Sequence, residues 1–332
     1  MNEPVPRAAP LPFRLPPLSL GCWAFAGGAP WGPADDEVSI ATIHGALDHG
    51  ITAFDTAPAY GDGASEELVG RALIGRRDQA QLLTKVSASS FSAERVRTSC
   101  EASLRRLRTD HIDLLQIHWV GEEANFDDVI ATFNALHDAG KILACGVCNF
   151  GPAHLARLPA DDSRWHTHQL PYNLLWRAIE SEVAPLSRAR GLGMLAYSPL
   201  QQGLLGGRYR RADDVPAGRT RSRHFRGDRE GSRHGGPGFE TETFTAIDAI
   251  DAVAQRLERP MSHVALAWLL QQPGVASVLV GARTRAQIVE NVAALDLSLD
   301  ADTLRELDRV TRPLHTLLGP DPDMWAPKSR YR

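Results

Sequence analysis

No run of apolar residues in the 332-residue chain approaches the ~20 that a membrane helix requires. Excess positive charge is missing as well. The formal net charge is -4 and the pI is near 6.3, which offers no general attraction to phosphate backbones or anionic lipid. Nucleic acid and membrane are therefore excluded as expected partners. Cysteine is scarce: Cys22, Cys100, Cys145 and Cys148 are too few and too scattered for a disulfide framework. Cys145 and Cys148 form a C-x-x-C, but they lie in "ILACGVCNF", which reads as a strand. Odd spacing puts them on opposite faces, so they are two unrelated thiols, neither a redox pair nor a metal knuckle. Two nucleotide signatures are absent too, a G-x-G-x-x-G after a strand and a G-x-x-x-x-G-K-[ST]. The first segment, 1–17, has prolines where a secretion signal would have its apolar core, and reads as an extended lead-in. A soluble, cytoplasmic protein is expected.

What is present is an ordered alternation. Aliphatic runs fall at Leu18–Trp23, Ile51–Thr56, Gln81–Val86, Ile112–Trp119, Ile142–Asn149, Thr167–Tyr172, Gly193–Ser198 and Val275–Gly281. Helical spacing lies between them: Ile40, Ile43 and Leu47; Val96, Cys100, Leu104 and Leu107; Val129, Ile130, Phe133 and Leu136; Phe244 to Leu257; and Ile288, Val292 and Leu295. Strands alternating with helices pair in parallel through right-handed crossovers, and eight units over this length fit one closed (β/α)8 barrel spanning 18–310. Two regions break the pattern. A long Arg- and Gly-rich stretch follows the seventh strand, and an irregular tail occupies 311–332.

In such a barrel, reactive groups sit at the carboxyl ends of the strands. The second strand ends in Asp55, with Tyr60 just beyond it; the third ends in "LLTKV" with Lys85, and the fourth in "LLQIHW" with His118. A carboxylate in apolar surroundings needs a cationic partner, and Lys85 can supply it. Each residue alone reads as packing or solvation. Together they are complementary: a Lys ammonium ~4 Å from a tyrosine would stabilise its phenolate by up to about 4 kcal/mol before desolvation opposes it, Asp55 would keep Lys85 charged and aimed, and His118 could donate to the same oxygen. This is machinery for protonating a carbonyl oxygen while a hydride reaches its carbon. With no Rossmann fingerprint, a nicotinamide cofactor would lie extended across the barrel mouth.

"FDTAPAYGDGASEELVGRAL", "LLTKV", "SLRRLRTDHIDLLQIHW", "AGKILACGVCNF", "HQLPYNLL", "LAYSPLQQGLLGG" and "VGARTRAQIVENV" resemble, in order and spacing, the aldo-keto reductases, from about Leu18 to Asp308. The resemblance implies the same barrel, with Asp55, Tyr60, Lys85 and His118 as the catalytic tetrad and Tyr60 as the acid. It implies that Asn149 and Gln169 hold the nicotinamide carboxamide and that Tyr197 stacks on the ring. Ser198, Leu200 and Gly203 fall in the pyrophosphate turn, and Gly281, Arg283, Gln287 and Asn291 at the adenosine end. Locally, Thr284 and Gln287 form a capping box, and a helix start flanked by Arg283 and Arg285 is an anion site. No acid precedes Glu290 there, so NADP(H) is favoured over NAD. One departure is Cys148, where the family commonly has Ser; it weakens a hydrogen bond to the carboxamide and adds sensitivity to oxidation.

The expected partner is a small carbonyl or alcohol substrate; the oligomeric state stays open, a monomer included. Trp23, Tyr60, His118, Trp119 and Trp325 are the expected substrate pocket, with Phe25, Trp31, Trp176 and Met324 as further aromatic or apolar candidates that could equally be barrel packing. Two rival readings are a cofactor-binding protein with little turnover, resembling channel-associated β subunits, and a metal-dependent barrel hydrolase using His166 and His168. Six arginines between 219 and 233 face only Asp228 and Glu230, so the loop is expected to repel itself, to be mobile without NADPH and to order with it.

Overall fold

Eight parallel strands close on themselves in chain order in the computed structural model, which describes residues 11–28, 31–87, 92–121, 125–160, 162–326 and 328–331. They are β1 Leu18–Gly21, β2 Ala53–Asp55, β3 Gln81–Val86, β4 Ile112–Ile117, β5 Ile142–Cys148, β6 Trp165–Pro171, β7 Gly193–Tyr197 and β8 Val275–Gly281. Every aliphatic run of the sequence becomes one of them, and β1 pairs β8 to complete the single-domain barrel.

The expected helices form at α1 Asp36–Asp48, α3 Ala93–Leu107, α4 Phe126–Asp138, α7 Glu240–Arg256 and α9 Arg285–Ala293. Side chains of Asp35, Ser92 and Thr284 cap three of them by accepting from backbone N–H groups in the first turn. Five more helices form among the described residues: α2 Ala64–Ala72, α5 Pro152–Arg157, α6 Val183–Ala189, α8 Met261–Leu270 and the long, amphipathic α10 Ala301–Leu318. Helix α8 is apolar almost all round because it is buried almost all round, which erases the one-sided pattern a sequence reader looks for. Helix α10 runs past residue 310 to Leu318, with Pro313 inside it, so irregular backbone begins at Gly319 rather than at 311.

Alternation along the strands stacks the barrel interior in layers. Ala53, Leu83, Leu114, Ala144, Leu195 and Leu279 form an apolar layer, which Leu11, Phe13 and Leu15 of the lead-in also touch. Residues 1–10 of the lead-in lie outside the described residues. Two positions further along the same strands come Asp55, Lys85, Gln116, Gly146, Tyr197 and Gly281, and Gln169 of β6 joins them by donating to Asp55. The polar layer is thus displaced from the apolar one by a single strand repeat, and it faces the carboxyl-end mouth.

The Arg-rich segment corrects the expectation of a self-repelling loop with little to order it. Thr220, Ser222, His224 and Phe225 are buried. Its arginines find acids beyond those counted between 219 and 233. Arg229 pairs with Glu240 and Asp213, and Arg223 with Asp321. Local charge counting missed these partners because Asp213 precedes the window and α7 and the tail bring the other two from beyond it.

Candidate active site

Lys85 is fully buried and Asp55 nearly so. The ammonium donates to Asp55 Oδ1 at 2.7 Å, to the Thr56 carbonyl at 2.8 Å and to Tyr60 Oη at 3.4 Å. Asp55 Oδ2 in turn accepts from Gln169 Nε2 at 2.7 Å and Gln116 Nε2 at 3.4 Å. Burial is the largest single effect and works against the Lys85 charge, but Asp55, with smaller contributions from Tyr60 and Cys148, lifts the lysine above its ordinary range. For Tyr60 the balance goes the other way. Burial pushes the phenol up to about 12, and Lys85, which pulls it down, does not win. The lysine's attraction is bounded at about 4 kcal/mol before desolvation; desolvation exceeds it here, and Tyr60 is a firmly protonated phenol.

His118 meets Tyr60 edge to face, with ring centroids 6.0 Å apart. Burial, then the nearby charges of Lys85 and Arg330, depress it to about 3, so at neutral pH it is an uncharged imidazole able to donate one hydrogen bond. Trp23 stacks on the Tyr60 ring at 5.7 Å, and Trp31 packs against the edge of Trp23 at 5.3 Å.

These groups line one cavity of about 510 Å³. Lys85 lies just behind its wall. Asn149, Gln169, Tyr197, Ser198, Leu200, Gly203, Gly281, Arg283, Gln287 and Asn291 line the cavity as well, as do Trp23, Trp119 and Trp325. Of the other aromatic and apolar candidates, Trp31 lines the cavity, while Phe25, Trp176 and Met324 are core residues.

The rim departs from expectation in several places. Asn149 Oδ1 accepts from Tyr197 Oη at 3.0 Å and from Tyr331 Oη at 2.7 Å, and Asn149 Nδ2 donates to the His118 carbonyl. Gln169 spends its amide on Asp55. Both residues assigned to a carboxamide are therefore engaged within the protein. Arg283 lines the cavity, its guanidinium pinned by the carbonyls of Trp31 at 2.6 Å and Pro33 at 2.5 Å. Arg285 does not; it turns to Asp48 at 3.1 Å. Thr284 caps α9 as expected, whereas Gln287 Oε1 reaches back to the Arg283 N–H and not to that of Thr284. Glu290 also lines the cavity, beside Gln287 and Asn291.

Beyond β7, Ser198, Gln201 and Gln202 hold positive φ and Gly203 sits at φ 98°. Such strain persists only where surrounding contacts impose it. Here Asn173 Nδ2 donates to the Ser198 carbonyl and to Gln201 Oε1, and Gln201 Nε2 donates to His224 Nδ1. His224 Nε2 faces the Leu175 carbonyl and so carries the proton, which leaves Nδ1 free to accept.

The tail is the part that sequence reasoning largely missed. Asp323, fully buried, accepts from Arg330 Nε at 2.7 Å and Nη2 at 2.9 Å and from the N–H groups of Trp325 and Ala326. Arg330 lies 3.7 Å over the Trp119 ring. This clamp carries Tyr331 to Asn149. Its backbone passes so close to the β5–α5 turn that a Cβ on Gly151 would lie 1.5 Å from the Tyr331 carbonyl oxygen. Met324 and Trp325 were the local signals.

Cys148 lies inside the barrel, its thiol 3.7 Å from Gln116 Oε1, and Cys145 is buried on the other face, beside Asp162 and Arg164. Burial pushes both thiols up, which opposes the thiolate that oxidation requires. His168 accepts from the Phe150 N–H through Nε2 and donates through Nδ1 to Ser187, the pattern of a satisfied core histidine.

The chain matches the aldo/keto reductase family model over residues 17–312. It is 35% identical over 329 residues to the aldo-keto reductase YhdN of Bacillus subtilis, covering 94% of this chain and 95% of that one. It is 34% identical to an NADH-specific methylglyoxal reductase of Escherichia coli, covering 89% and 95%. Among solved structures, an aldo/keto reductase from Klebsiella pneumoniae in complex with NADP and acetate superimposes with a TM-score of 0.70 at 28% identity, covering 94% of both chains.

Proposed function

The chain belongs to the aldo/keto reductase family, and from that premise we propose that it interconverts an aldehyde or ketone with the corresponding alcohol, using NADPH and with Tyr60 as the general acid. The observation that carries the reading is the Asp55–Lys85–Tyr60 chain, with contacts of 2.7 and 3.4 Å at the floor of a cavity that His118 also faces. NADPH, when bound, supplies a hydride to the carbonyl carbon.

The residues do the rest. A carbonyl oxygen entering between Tyr60 and His118 meets two neutral donors, a phenol O–H and an imidazole N–H. As negative charge develops on that oxygen the phenol proton moves to it, and the phenolate left behind lies against the Lys85 ammonium, whose charge Asp55 maintains. Lys85 thus contributes at the moment the phenolate forms, when its attraction is no longer outweighed by the burial of a neutral phenol.

The donor set suits a phosphorylated dinucleotide. Ser198, Leu200 and Gly203 of the strained turn, the guanidinium of Arg283 and the amides of Gln287 and Asn291 all line the one cavity, although Asn291 Nδ2 already donates to the Gly281 carbonyl. An arginine at this rim favours a cofactor carrying an extra phosphate, although one relative is NADH-specific.

Tyr60→Phe tests the reading. It removes a transition-state proton donor and almost no ground-state contact, so NADPH affinity is expected to hold while turnover of an aldehyde falls about 10²- to 10⁴-fold. A drop smaller than tenfold would remove Tyr60 from the role.

A further inference from the structure

Arg221 is a buried guanidinium with no carboxylate against it among the described residues. It is 8% exposed, and its Nε has no hydrogen-bond partner. Arg223, Arg226 and Arg229 on the same segment each meet a carboxylate; among the described residues Arg221 meets none. Its neighbours are two indoles, with the guanidinium carbon 5.4 Å from the Trp23 ring centre and 5.2 Å from that of Trp325. Burial, with Arg233 adding repulsion, lowers it to about 10, which leaves it charged at neutral pH. Ring faces compensate such a charge only in part, and an unpaired buried cation is costly.

Its position shows which anion it would meet. Arg221 lines the candidate active-site cavity and touches Trp23, the ring stacked on Tyr60. Arg219 instead lies over Trp31 and against Gly203, and Arg283 stands at the start of α9, so the turn and the far rim have arginines of their own. Arg221 belongs to the end of the cavity where the reacting carbonyl would sit. Arg208, Arg233 and Arg330 also line the cavity, Arg330 being already paired with Asp323, but Arg221 is the fork held between flat rings, which matches a planar, singly charged group.

Building on the reading of Tyr60 as the acid, we infer that the substrate is an aldehyde or ketone that also carries a carboxylate, and that Arg221 binds this carboxylate between Trp23 and Trp325. The carboxylate supplies the missing counter-charge, and holding it fixes the carbonyl relative to Tyr60.

The test compares kcat/KM for 4-carboxybenzaldehyde and for its methyl ester, in the wild type and in Arg221→Met, with NADPH affinity followed by fluorescence titration. Wild type is expected to prefer the acid at least tenfold, the size of a charge-assisted contact. Arg221→Met should lose that preference with less than a threefold change in NADPH affinity. Arg221→Lys, which keeps the charge and loses the fork, should retain part of it and serves if the methionine variant does not fold. Absence of the preference in wild type, or its survival in Arg221→Met, overturns the inference. So does a parallel fall of NADPH affinity and of both substrates, which would assign Arg221 to a cofactor phosphate. If neither aldehyde is reduced, the reading of Tyr60 fails, and the subsite is judged by calorimetric binding of 4-carboxybenzaldehyde to NADP-loaded protein. Equal binding by wild type and Arg221→Met would then refute it.

Discussion

Asp55→Asn probes the most buried ion pair of the site. The change preserves shape and removes one charge, leaving the Lys85 ammonium 0% exposed with only the Thr56 carbonyl at 2.8 Å as a strong acceptor. It also turns an acceptor into a donor: an Asn amide oriented toward Gln169 Nε2, now 2.7 Å from Asp55 Oδ2, sets N–H against N–H. Breaking a buried pair by removing one partner costs about 3–5 kcal/mol, because the surviving charge stays desolvated. Urea unfolding at pH 7 measures it as a fall in the midpoint at unchanged m-value. Lys85 in the wild type sits above its unfolded value of 10.5, so the pair's contribution is complete below that pH and is lost only as pH rises through the folded value. Without Asp55, burial dominates and drives the lysine downward, so the deficit of the variant is full at neutral pH and shrinks in alkali. Adding Lys85→Met should restore at least about 2 kcal/mol, since the pair is then removed together. A loss below about 1 kcal/mol for Asp55→Asn alone, the size of an exposed pair, would refute the account of a buried, mutually dependent charge pair.

Arg283→Ala is expected to weaken NADPH far more than NADH in fluorescence titrations; equal losses would mean that Arg283 does not read the extra phosphate. His168 and His224 are fully buried and depressed by burial to about 3 and about 4. Stability is therefore complete above pH 6.5 and falls as the pH drops toward 4, with up to about 2.7 kcal/mol per pH unit coming from these two, because only the unfolded chain takes up their protons. Urea midpoints that stay flat from pH 7 to pH 5 would contradict that. Gly151→Ala should force the tail from its seat and release the Tyr331 hydroxyl from Asn149, read as faster tryptic cleavage after Arg330; an unchanged cleavage rate would show that the seat tolerates a methyl group.

The barrel and its tetrad candidates were legible because both follow from local rules. Period-2 alternation and β-branched runs mark strands, and a polar residue two places beyond an apolar one on the same strand must face the mouth, as Ala53–Asp55 and Leu83–Lys85 do. No tertiary information is needed to see that such residues will meet. The apolar helix α8 was less legible, since a helix buried on all sides has no polar face to set its period. What sequence could not decide is whatever depends on partners distant in the chain. Whether burial or Lys85 governs the Tyr60 proton depends on how completely the cavity excludes water, which no spacing encodes. Whether six arginines repel or pair depends on Asp213, Glu240 and Asp321 arriving from outside their window. And Arg221, indistinguishable in the sequence from its five neighbours, is set apart only because the fold buries it between two indoles with its Nε unpartnered and, among the described residues, no carboxylate against it.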